Sequence, residues 1–402
     1  MGKKQIDHSA RGHAYLSASG ANRWMNCSPS AELESHFPSK TNFYAKEGTL
    51  AHEFAELNLK RDLKMLNKKE HAEAVAPFML DKMHSQEMEE FVQVYVDYVV
   101  QQYTAAKRVT KSAEILIEEK VDFSEFVSGG FGTTDTCIVA DGVLEVIDYK
   151  HGMGVKVSSE ENTQLKLYGL GALNTAEILY DIHTVRLTIV QPRLDSISVW
   201  EIHAQDLKEW GHNIVMPAAE KAHNGEGEAI PGDWCKFCKA IPKCKAFAEM
   251  SLQVAVDEFS ENDNDPRLMS DEEVLENYAK IPQVKMWEKA VSEYVSKEAI
   301  NNGKKWDGYK LVEGRANRKW VDEASVIKKL RGKRFKQDDY YAPRKLLGIP
   351  GIEKLLGKLA FPDLLSDLVN KPRGAPSLVV DSDKRKEYVN DSAKDEFADG
   401  EK

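Results

Sequence analysis

The stretch GTTDTCIVADGVLEVIDYK, residues 132–150, constrains the fold most strongly because it predicts a β-hairpin whose register can be counted. Asp141-Gly142 between two apolar runs is typical of a two-residue type I′ turn. Counting outward from this turn sets Asp135 directly opposite Asp148, with Cβ atoms roughly 4.5–5.5 Å apart. The other residues are mainly apolar on both faces. We therefore expect a central strand pair that is buried on both sides and carries charge at one end.

Charge at the end of an apolar strand pair needs a physical reason. Like charges directly opposite each other destabilise a sheet unless something compensates them. Lys150 lies two residues after Asp148 and therefore projects from the same face. Two carboxylates and an ammonium suit a divalent cation such as Mg²⁺ or Mn²⁺, with the lysine near a phosphate or a water. A salt bridge at a sheet edge, with Asp135 as a turn residue, is the alternative interpretation.

The remaining patterns predict an α/β protein with a mixed central sheet flanked by helices. Helices with apolar residues at helical spacing are predicted over 47–65, 85–107 and 160–174. Strands are predicted over 114–122, in the hairpin, and in two runs within 184–202. Ser158 and Glu161 have the spacing of a capping box for the third helix.

Composition divides the chain into segments. They are an N-terminal extension at 1–14, a main domain at 15–256, an acidic linker at 257–273, a basic and mostly helical region at 274–375, and a disordered tail at 376–402. No apolar run approaches the length of a membrane span, and no apolar segment follows the N-terminal lysines. We therefore expect a cytoplasmic protein without a membrane partner.

The charge of the chain is unevenly distributed. The net charge is −10, yet residues 301–360 hold 16 Lys and Arg against 7 Asp and Glu, a net of +9. This asymmetry favours a basic patch with a polyanionic partner, while a solvated helical face is equally consistent. The candidate DNA-binding residues are Lys328, Lys329, Arg331, Lys333, Arg334, Lys336, Arg344 and Lys345. Tyr340 and Tyr341, in the same run, are candidates for stacking on single-stranded bases.

Three of the five cysteines, Cys235, Cys238 and Cys244, are closely spaced within PGDWCKFCKAIPKC. Thiolates at such spacing bind soft metals, and a fourth ligand would have to come from far away in sequence. Cys27 is the candidate. An iron–sulfur cluster, a Zn²⁺ ion and unligated thiols are the three interpretations. Cys137 lies on the apolar face of the hairpin, and we expect it in the core.

Three further polar residues are weak signals when each is taken alone. His52 lies on the first long predicted helix, and a single helix histidine is more often structural than a metal ligand. Gln164 and Tyr168 are four residues apart, so both point from one side of their helix. An ordinary polar helix face with a snorkelling tyrosine explains that pair better when the pair is taken alone.

Four short motifs occur together in an order that resembles a known nuclease family. They are His52, Gly132-x-x-Asp135, Asp148-x-Lys150 and Gln164-x-x-x-Tyr168. Their order resembles the RecB-type branch of the PD-(D/E)XK nucleases, over roughly residues 15 to 250. The stretches LSASGANRWMNCSPSAELE and EENTQLKLYGLGAL are also similar to those of an uncharacterised phage and prophage family of this nuclease type.

The resemblance implies a restriction-endonuclease-like sheet and a role for each motif residue. The implied metal ligands are His52, Asp135, Asp148 and the carbonyl of Tyr149. Lys150 would assist the nucleophilic water, and Gln164 and Tyr168 would steer the DNA strand near the scissile phosphate. One early cysteine with three late ones also resembles the 4Fe–4S staple of AddB-type and CRISPR-adaptation nucleases. By that likeness Cys27, Cys235, Cys238 and Cys244 would hold the cluster, with Zn²⁺ as the alternative.

The sequence thus predicts a metal-dependent DNA nuclease, an exonuclease rather than an endonuclease, acting in phage recombination or genome processing in a host cytoplasm. DNA is the expected partner, with a phage recombinase or a single-strand-binding protein as further candidates. No P-loop of the form G-x-x-x-x-G-K-[ST] is present, so we expect no helicase activity. The alternative is a non-catalytic binding module built on a nuclease fold. Polarity, strand preference, natural substrate and oligomeric state do not follow from the sequence.

Overall fold

The computed structural model describes residues 14–38, 43–256, 271–314, 318–333, 335–342, 345–356, 360–370, 376–380 and 386–388. The chain divides into two compact units, residues 1–287 and 288–402. Most of the predicted linker at 257–273 lies outside the described residues, and its last three residues begin a helix. The predicted N-terminal extension lies outside them too, apart from Ala14.

The first unit is built on a five-stranded mixed sheet. Its strands are β1 (Glu114–Asp122), β2 (Phe131–Ala140), β3 (Gly142–Tyr149), β4 (Ile182–Gln191) and β5 (Ser196–His203). They lie side by side in chain order, and only β3 and β4 are parallel neighbours. The predicted mixed sheet is therefore confirmed. The hairpin of β2 and β3 lies inside the sheet rather than at an edge.

The hairpin has the predicted register but not the predicted turn. The pairing counted outward from Asp141-Gly142 holds along β2 and β3. Gly142 has a φ of 85°, whereas Asp141 does not have a positive φ. A type I′ turn needs positive φ at both central residues, so that prediction is wrong. The turn is held from outside instead, because the Asp141 amide donates to Thr110 Oγ1 and the Gly142 amide donates to the Asp181 carbonyl.

Helices cover both faces of the sheet. They are α1 (Ala21–Asn26), α2 (Ser30–Ser35), α3 (Phe43–Asp62), α4 (Lys68–Met79), α5 (Gln86–Val109), α6 (Thr163–Ala176), α7 (Ala204–Trp210), α8 (Met216–Asn224) and α9 (Lys245–Val256). Side chains of α3 and α5 form one core with Ile138, Ile147 and Tyr149. Those of α1 and α6 form a second core with Cys137 and Leu144 on the opposite face. Coverage on both sides explains why these strands are apolar on both sides.

α6 begins later than predicted and without the expected capping box. Asn162 is its N-cap, and the Asn162 side chain accepts a hydrogen bond from the Leu165 amide at 3.1 Å. Glu161 precedes the helix with a φ of 52°, a left-handed conformation that helical residues do not adopt. The Ser158–Glu161 prediction is therefore wrong, because the chain turns sharply between those residues and the helix.

The second unit has its own small apolar core. Its helices, with α10 (Asp271–Asn302) preceding them, are α11 (Glu323–Arg331), α12 (Gln337–Tyr340), α13 (Ile349–Leu356) and α14 (Ala360–Leu365). Three strand pairs are β6 (Tyr309–Glu313) with β11 (Pro376–Val380), β7 (Lys319–Trp320) with β10 (Val369–Asn370), and β8 (Tyr341–Ala342) with β9 (Lys345–Leu346). The mostly helical C-terminal region is confirmed.

Two expectations for the second unit are corrected. Tyr340 is only 2% exposed and packs in the core with Leu330 and Ile352, so it is not free to stack on a base. The predicted disordered tail at 376–402 begins with β11, which pairs with β6. Of the remaining tail only 386–388 is described. No described helix combines the length and the apolar character needed to cross a membrane.

Candidate functional site

Three acidic side chains form a row across β1, β2 and β3. The pairs on either side of Glu118 set it opposite Asp135. The β2–β3 pairing ends at Thr136 and Ile147, and one further step in the same register sets Asp135 opposite Asp148. Asp148 is buried and Glu118 is partly buried. The sequence predicted the two aspartates but not the glutamate. The row therefore extends one strand further than the hairpin alone indicated.

Glu118 has an unusual backbone and an unusual carboxyl group. Its φ is 53°, a left-handed conformation that is rare for a residue inside a strand, and such outliers concentrate at functional sites. Burial and the nearby Asp135 carboxylate raise the Glu118 pKa to about 7. One ligand atom from each of His52, Glu118 and Asp135 lies within 4.8 Å of the other two. This spacing allows the three side chains to share one cation.

Asp135 is held by two hydrogen bonds, one to each carboxylate oxygen. His52 Nδ1, on α3, lies 3.0 Å from Asp135 Oδ1, and the Tyr149 amide donates to Asp135 Oδ2 at 2.7 Å. Burial opposes ionisation of Asp135, but His52, the Tyr149 amide and Lys150 outweigh it and lower the Asp135 pKa. Burial likewise lowers the His52 pKa, and Asp135 reverses this so that the net shift is upward. The Tyr149 amide thus contacts the site, while the role of the Tyr149 carbonyl as a metal ligand stays a prediction.

Asp148 pairs with the lysine that the sequence set on its face. Lys150 Nζ lies 2.9 Å from Asp148 Oδ2 and donates to Oδ1 at 3.2 Å. Burial and the Asp135 charge raise the Asp148 pKa, although Lys150 opposes the shift. Asp148 Oδ2 is fully buried and makes no hydrogen bond of acceptable geometry within the described chain. The Lys150 ammonium is still the partner of both Asp148 oxygens, and a carboxylate so buried can also offer an oxygen to a divalent cation.

Gln164 and Tyr168 extend the site onto α6. Lys150 Nζ donates to Gln164 Oε1 at 3.4 Å, and Gln164 Nε2 donates to the Tyr168 hydroxyl at 3.1 Å. Burial raises the Tyr168 pKa to about 12, so the phenol stays protonated at neutral pH. A Cβ at Gly132 would lie 2.5 Å from Tyr168 Cε1. The glycine of Gly132-x-x-Asp135 therefore leaves room for the Tyr168 ring.

The residues predicted from the sequence thus lie in two neighbouring hydrogen-bonded groups, one around Asp135 and one around Lys150, which meet at the consecutive residues 148–150, and Glu118 adds to the first. Its charged groups are three carboxylates against the Lys150 ammonium and the His52 imidazole. Partial burial makes this concentration of negative charge unfavourable without a counterion. Carboxylate oxygens are the ligands that Mg²⁺ and Mn²⁺ prefer. The donor set fits a divalent cation, and the ammonium beside it fits an anionic substrate group.

The four candidate cluster cysteines line a single cavity. Cys27 follows α1, whereas Cys235, Cys238 and Cys244 lie in the turns between α8 and α9. Burial raises the pKa of the Cys27 and Cys235 thiols, and raises that of Cys238 to about 12. All four thiols are free, and the cavity is otherwise lined mainly by apolar side chains such as Pro231 and Phe247. Cys137 is buried in the main core as predicted.

The predicted basic patch is only partly described. Lys328, Arg331, Lys333 and Lys336 are exposed in and after α11. Lys329 pairs with Asp367, with Nζ 2.6 Å from Oδ1, so its charge is already compensated. Arg334 and Arg344 lie outside the described residues, as does the side chain of Lys345, which belongs to β9.

Two comparisons with known proteins bear on the chain. A solved structure titled "Crystal structure of SSO0001" aligns with 55% of this chain and 95% of its own length, at 15% identity and a TM-score of 0.24. A score this low does not show a shared fold. A family model described as "Protein of unknown function (DUF2800)" matches residues 13–386. Since that match covers nearly the whole chain, the protein belongs to the DUF2800 family.

Proposed function

We propose that the protein is a metal-dependent DNA nuclease that hydrolyses phosphodiester bonds at the row of Glu118, Asp135 and Asp148. The observation that carries the proposal is the buried Asp148 carboxylate, which lies near the Asp135 charge and has its Oδ2 2.9 Å from the Lys150 ammonium. A carboxylate row alone would suit many cation sites. The lysine on the same face adds a cationic group for a phosphate, which a purely structural cation site does not need.

Glu118 and Asp135 would hold Mg²⁺ or Mn²⁺, with His52 as a further ligand or as the support of Asp135. Asp148 lies outside this group of three and would supply a further carboxylate oxygen to the same cation. When bound, the cation would supply Lewis-acid stabilisation of the phosphate and a lower pKa for an attacking water. The His52 and Tyr149 contacts fix both Asp135 oxygens, so the carboxylate needs little reorganisation on binding.

The chain's own residues supply the remaining chemistry. Asp148 raises the Lys150 pKa against the opposing effect of burial, so the lysine is an ammonium at neutral pH. That ammonium can donate to a phosphate oxygen or orient the attacking water. Gln164, fixed by the Tyr168 hydroxyl, holds Lys150 on its other side. Gln164 and Tyr168 therefore position the ammonium, and they also face the strand that carries the scissile phosphate.

The cysteine cavity would hold a 4Fe–4S cluster rather than Zn²⁺. The four thiols line one cavity with mainly apolar walls, which suits a soft-metal centre. The preference for the cluster rests on the sequence resemblance to the nucleases with a 4Fe–4S staple. The cluster would tie Cys27, near the start of the first unit, to the segment that precedes α9.

The choice of an exonuclease over an endonuclease and the biological setting rest on the sequence resemblance. It favours an exonuclease, with phage recombination or genome processing in a host cytoplasm as the role. The exposed lysines and arginine of α11 would add a nonspecific contact to DNA, or would dock a recombinase or a single-strand-binding protein.

Degradation of end-labelled linear DNA tests the proposal. Protein purified without oxygen should degrade single-stranded or double-stranded DNA with Mg²⁺ or Mn²⁺, and should stop when EDTA is added. Asp148→Asn should remove the activity while leaving the thermal unfolding temperature near that of the wild type. No cleavage by the wild type on any end contradicts the proposal and leaves a non-catalytic binding module. Equal cleavage by Asp148→Asn also contradicts it, because hydrolysis would then not depend on this row.

A further inference from the structure

Two segments beside the candidate site expose large apolar side chains that the proposed chemistry does not use. The first turn of α3 carries Phe43 and Tyr44, which are 60% and 76% exposed. The loop after β3 carries Met153 and Val155, which are 55% and 48% exposed. In both segments a lysine follows within two residues, Lys46 in the first and Lys156 in the second, and both lysines are exposed.

A buried polar cluster connects both segments to the metal row. His151 follows Lys150 directly, and its Nε2 lies 3.9 Å from Glu47 Oε1 on α3. Arg193 contacts the same glutamate oxygen at 3.3 Å. Tyr44 is one turn before Glu47, and His52 is eight residues after Tyr44, about 12 Å along the helix. The two apolar segments therefore begin at this cluster, within about two helical turns of the site.

Hydrogen bonds from a buried side chain fix the loop after β3 so that its apolar tip stays exposed. Gln191 is only 2% exposed, and its Nε2 donates to the carbonyls of Gly152 and Val155 at 2.8 and 2.9 Å. Its Oε1 accepts from the Val157 amide at 3.1 Å. One buried side chain thus satisfies three backbone groups of the loop. The base of the loop is fixed, and the exposure of Met153 follows from the fold.

We infer that these two segments, defined by Phe43–Lys46 and Met153–Lys156, form a stacking platform that receives a single-stranded DNA end at the candidate site. Exposed aromatic side chains with adjacent positive charge are the features that bind single strands, since bases stack on the rings and phosphates pair with the ammonium groups. Phe43 and Tyr44 supply the rings, and Met153 and Val155 add apolar surface for a neighbouring base. A duplex keeps its base faces covered, so the platform discriminates in favour of unpaired bases. The inference rests on the proposed function, because it assigns the substrate of that same site.

Binding measurements test the inference separately from cleavage. In the Asp148→Asn background with Ca²⁺, fluorescence anisotropy should report the affinity for a labelled single-stranded 20-mer and for its blunt duplex. Tyr44→Ala should weaken single-strand binding about tenfold, as the loss of one stacked base does, and Met153→Ala should weaken it by a smaller factor. Both variants should change duplex binding less. Tyr44→Phe keeps the ring and should bind like the parent. Leu179→Ala is the matched control, because Leu179 is 75% exposed but lies in the turn after α6.

A 2-aminopurine base in the same oligonucleotide gives a second readout. Its fluorescence should be quenched on binding and should recover in Tyr44→Ala. Unchanged affinity and quenching in both alanine variants overturn the inference, as does an equal loss for duplex and single strand. If the wild type still cleaves DNA in that case, the proposed nuclease function is supported without the platform. If the wild type binds single strands through the platform but does not cleave them, the platform is supported and the nuclease function is contradicted. If the wild type neither binds nor cleaves DNA, both are contradicted.

Discussion

Replacing Gly132 by alanine tests how closely the glycine of the first aspartate motif is fitted to Tyr168. The new Cβ would lie 2.5 Å from Tyr168 Cε1, about 1 Å closer than ordinary van der Waals contact. Overpacking of this kind costs about 1–3 kcal/mol, and removing a strand glycine returns about 0.5–1 kcal/mol. We therefore expect a net loss of about 1–2 kcal/mol in the free energy of unfolding.

Urea denaturation followed by circular dichroism measures this loss, and a double-mutant cycle assigns it. In a Tyr168→Ala background the clash is gone, so Gly132→Ala should there stabilise the protein by about 0.5–1 kcal/mol, the gain from removing a strand glycine. Gly152→Ala is the control, because a Cβ at Gly152 meets no atom within 4 Å and its φ is not positive. An equal cost of Gly132→Ala in both backgrounds, or a change below about 0.5 kcal/mol in the wild type, refutes the reasoning.

Two further predictions concern the carboxylate row and the cysteines. Glu118 has a folded-state pKa of about 7 against 4.5 in the unfolded chain, so the folded state binds the proton more tightly and stability should fall as pH rises from about 4.5 to 7. After a discount for solvent exposure, we expect the free energy of unfolding of EDTA-treated protein to fall by about 1–2 kcal/mol over this pH range. Glu118→Gln should flatten the profile of urea midpoint against pH. A profile that the substitution leaves unchanged argues against a raised Glu118 pKa. Anaerobically purified protein should be brown and contain about four iron atoms per chain, and Cys238→Ser should lose both the colour and the iron. Stoichiometric zinc in metal analysis would instead show that the cavity holds Zn²⁺.

The hairpin could be predicted from sequence because two local rules fix it. A two-residue turn sets the starting pair, and the strand period of two sets every later pair. Neither rule depends on the turn type, which explains why the register is confirmed although the type I′ assignment is wrong. The helix spacing of Gln164 and Tyr168 is equally local, so their common side could be read directly.

Glu118 and Gly132 required information that no local pattern contains. The eight residues between β1 and β2 do not fix a register, so the position of Glu118 opposite Asp135 could not be counted. A glutamate inside a predicted strand indicates a candidate site residue, but the left-handed backbone at Glu118 cannot be predicted from the sequence. The role of Gly132 depends on where the Tyr168 ring lies, which is a tertiary contact. Tyr340 was misread for the same reason, since its burial comes from other elements.

The most direct test of the proposed nuclease compares two buried acids on β3. Asp148 belongs to the row, whereas Glu145 accepts a hydrogen bond from Thr188 at 2.9 Å and lies outside it. Single-turnover cleavage of end-labelled DNA with Mg²⁺ should fall by about a hundredfold to a thousandfold or more in Asp148→Asn, the scale of losing one preorganised group in an active site. Glu145→Gln should cleave within about threefold of the wild type. Equal rates in Asp148→Asn and the wild type, or equal losses in both variants, would contradict hydrolysis at this row.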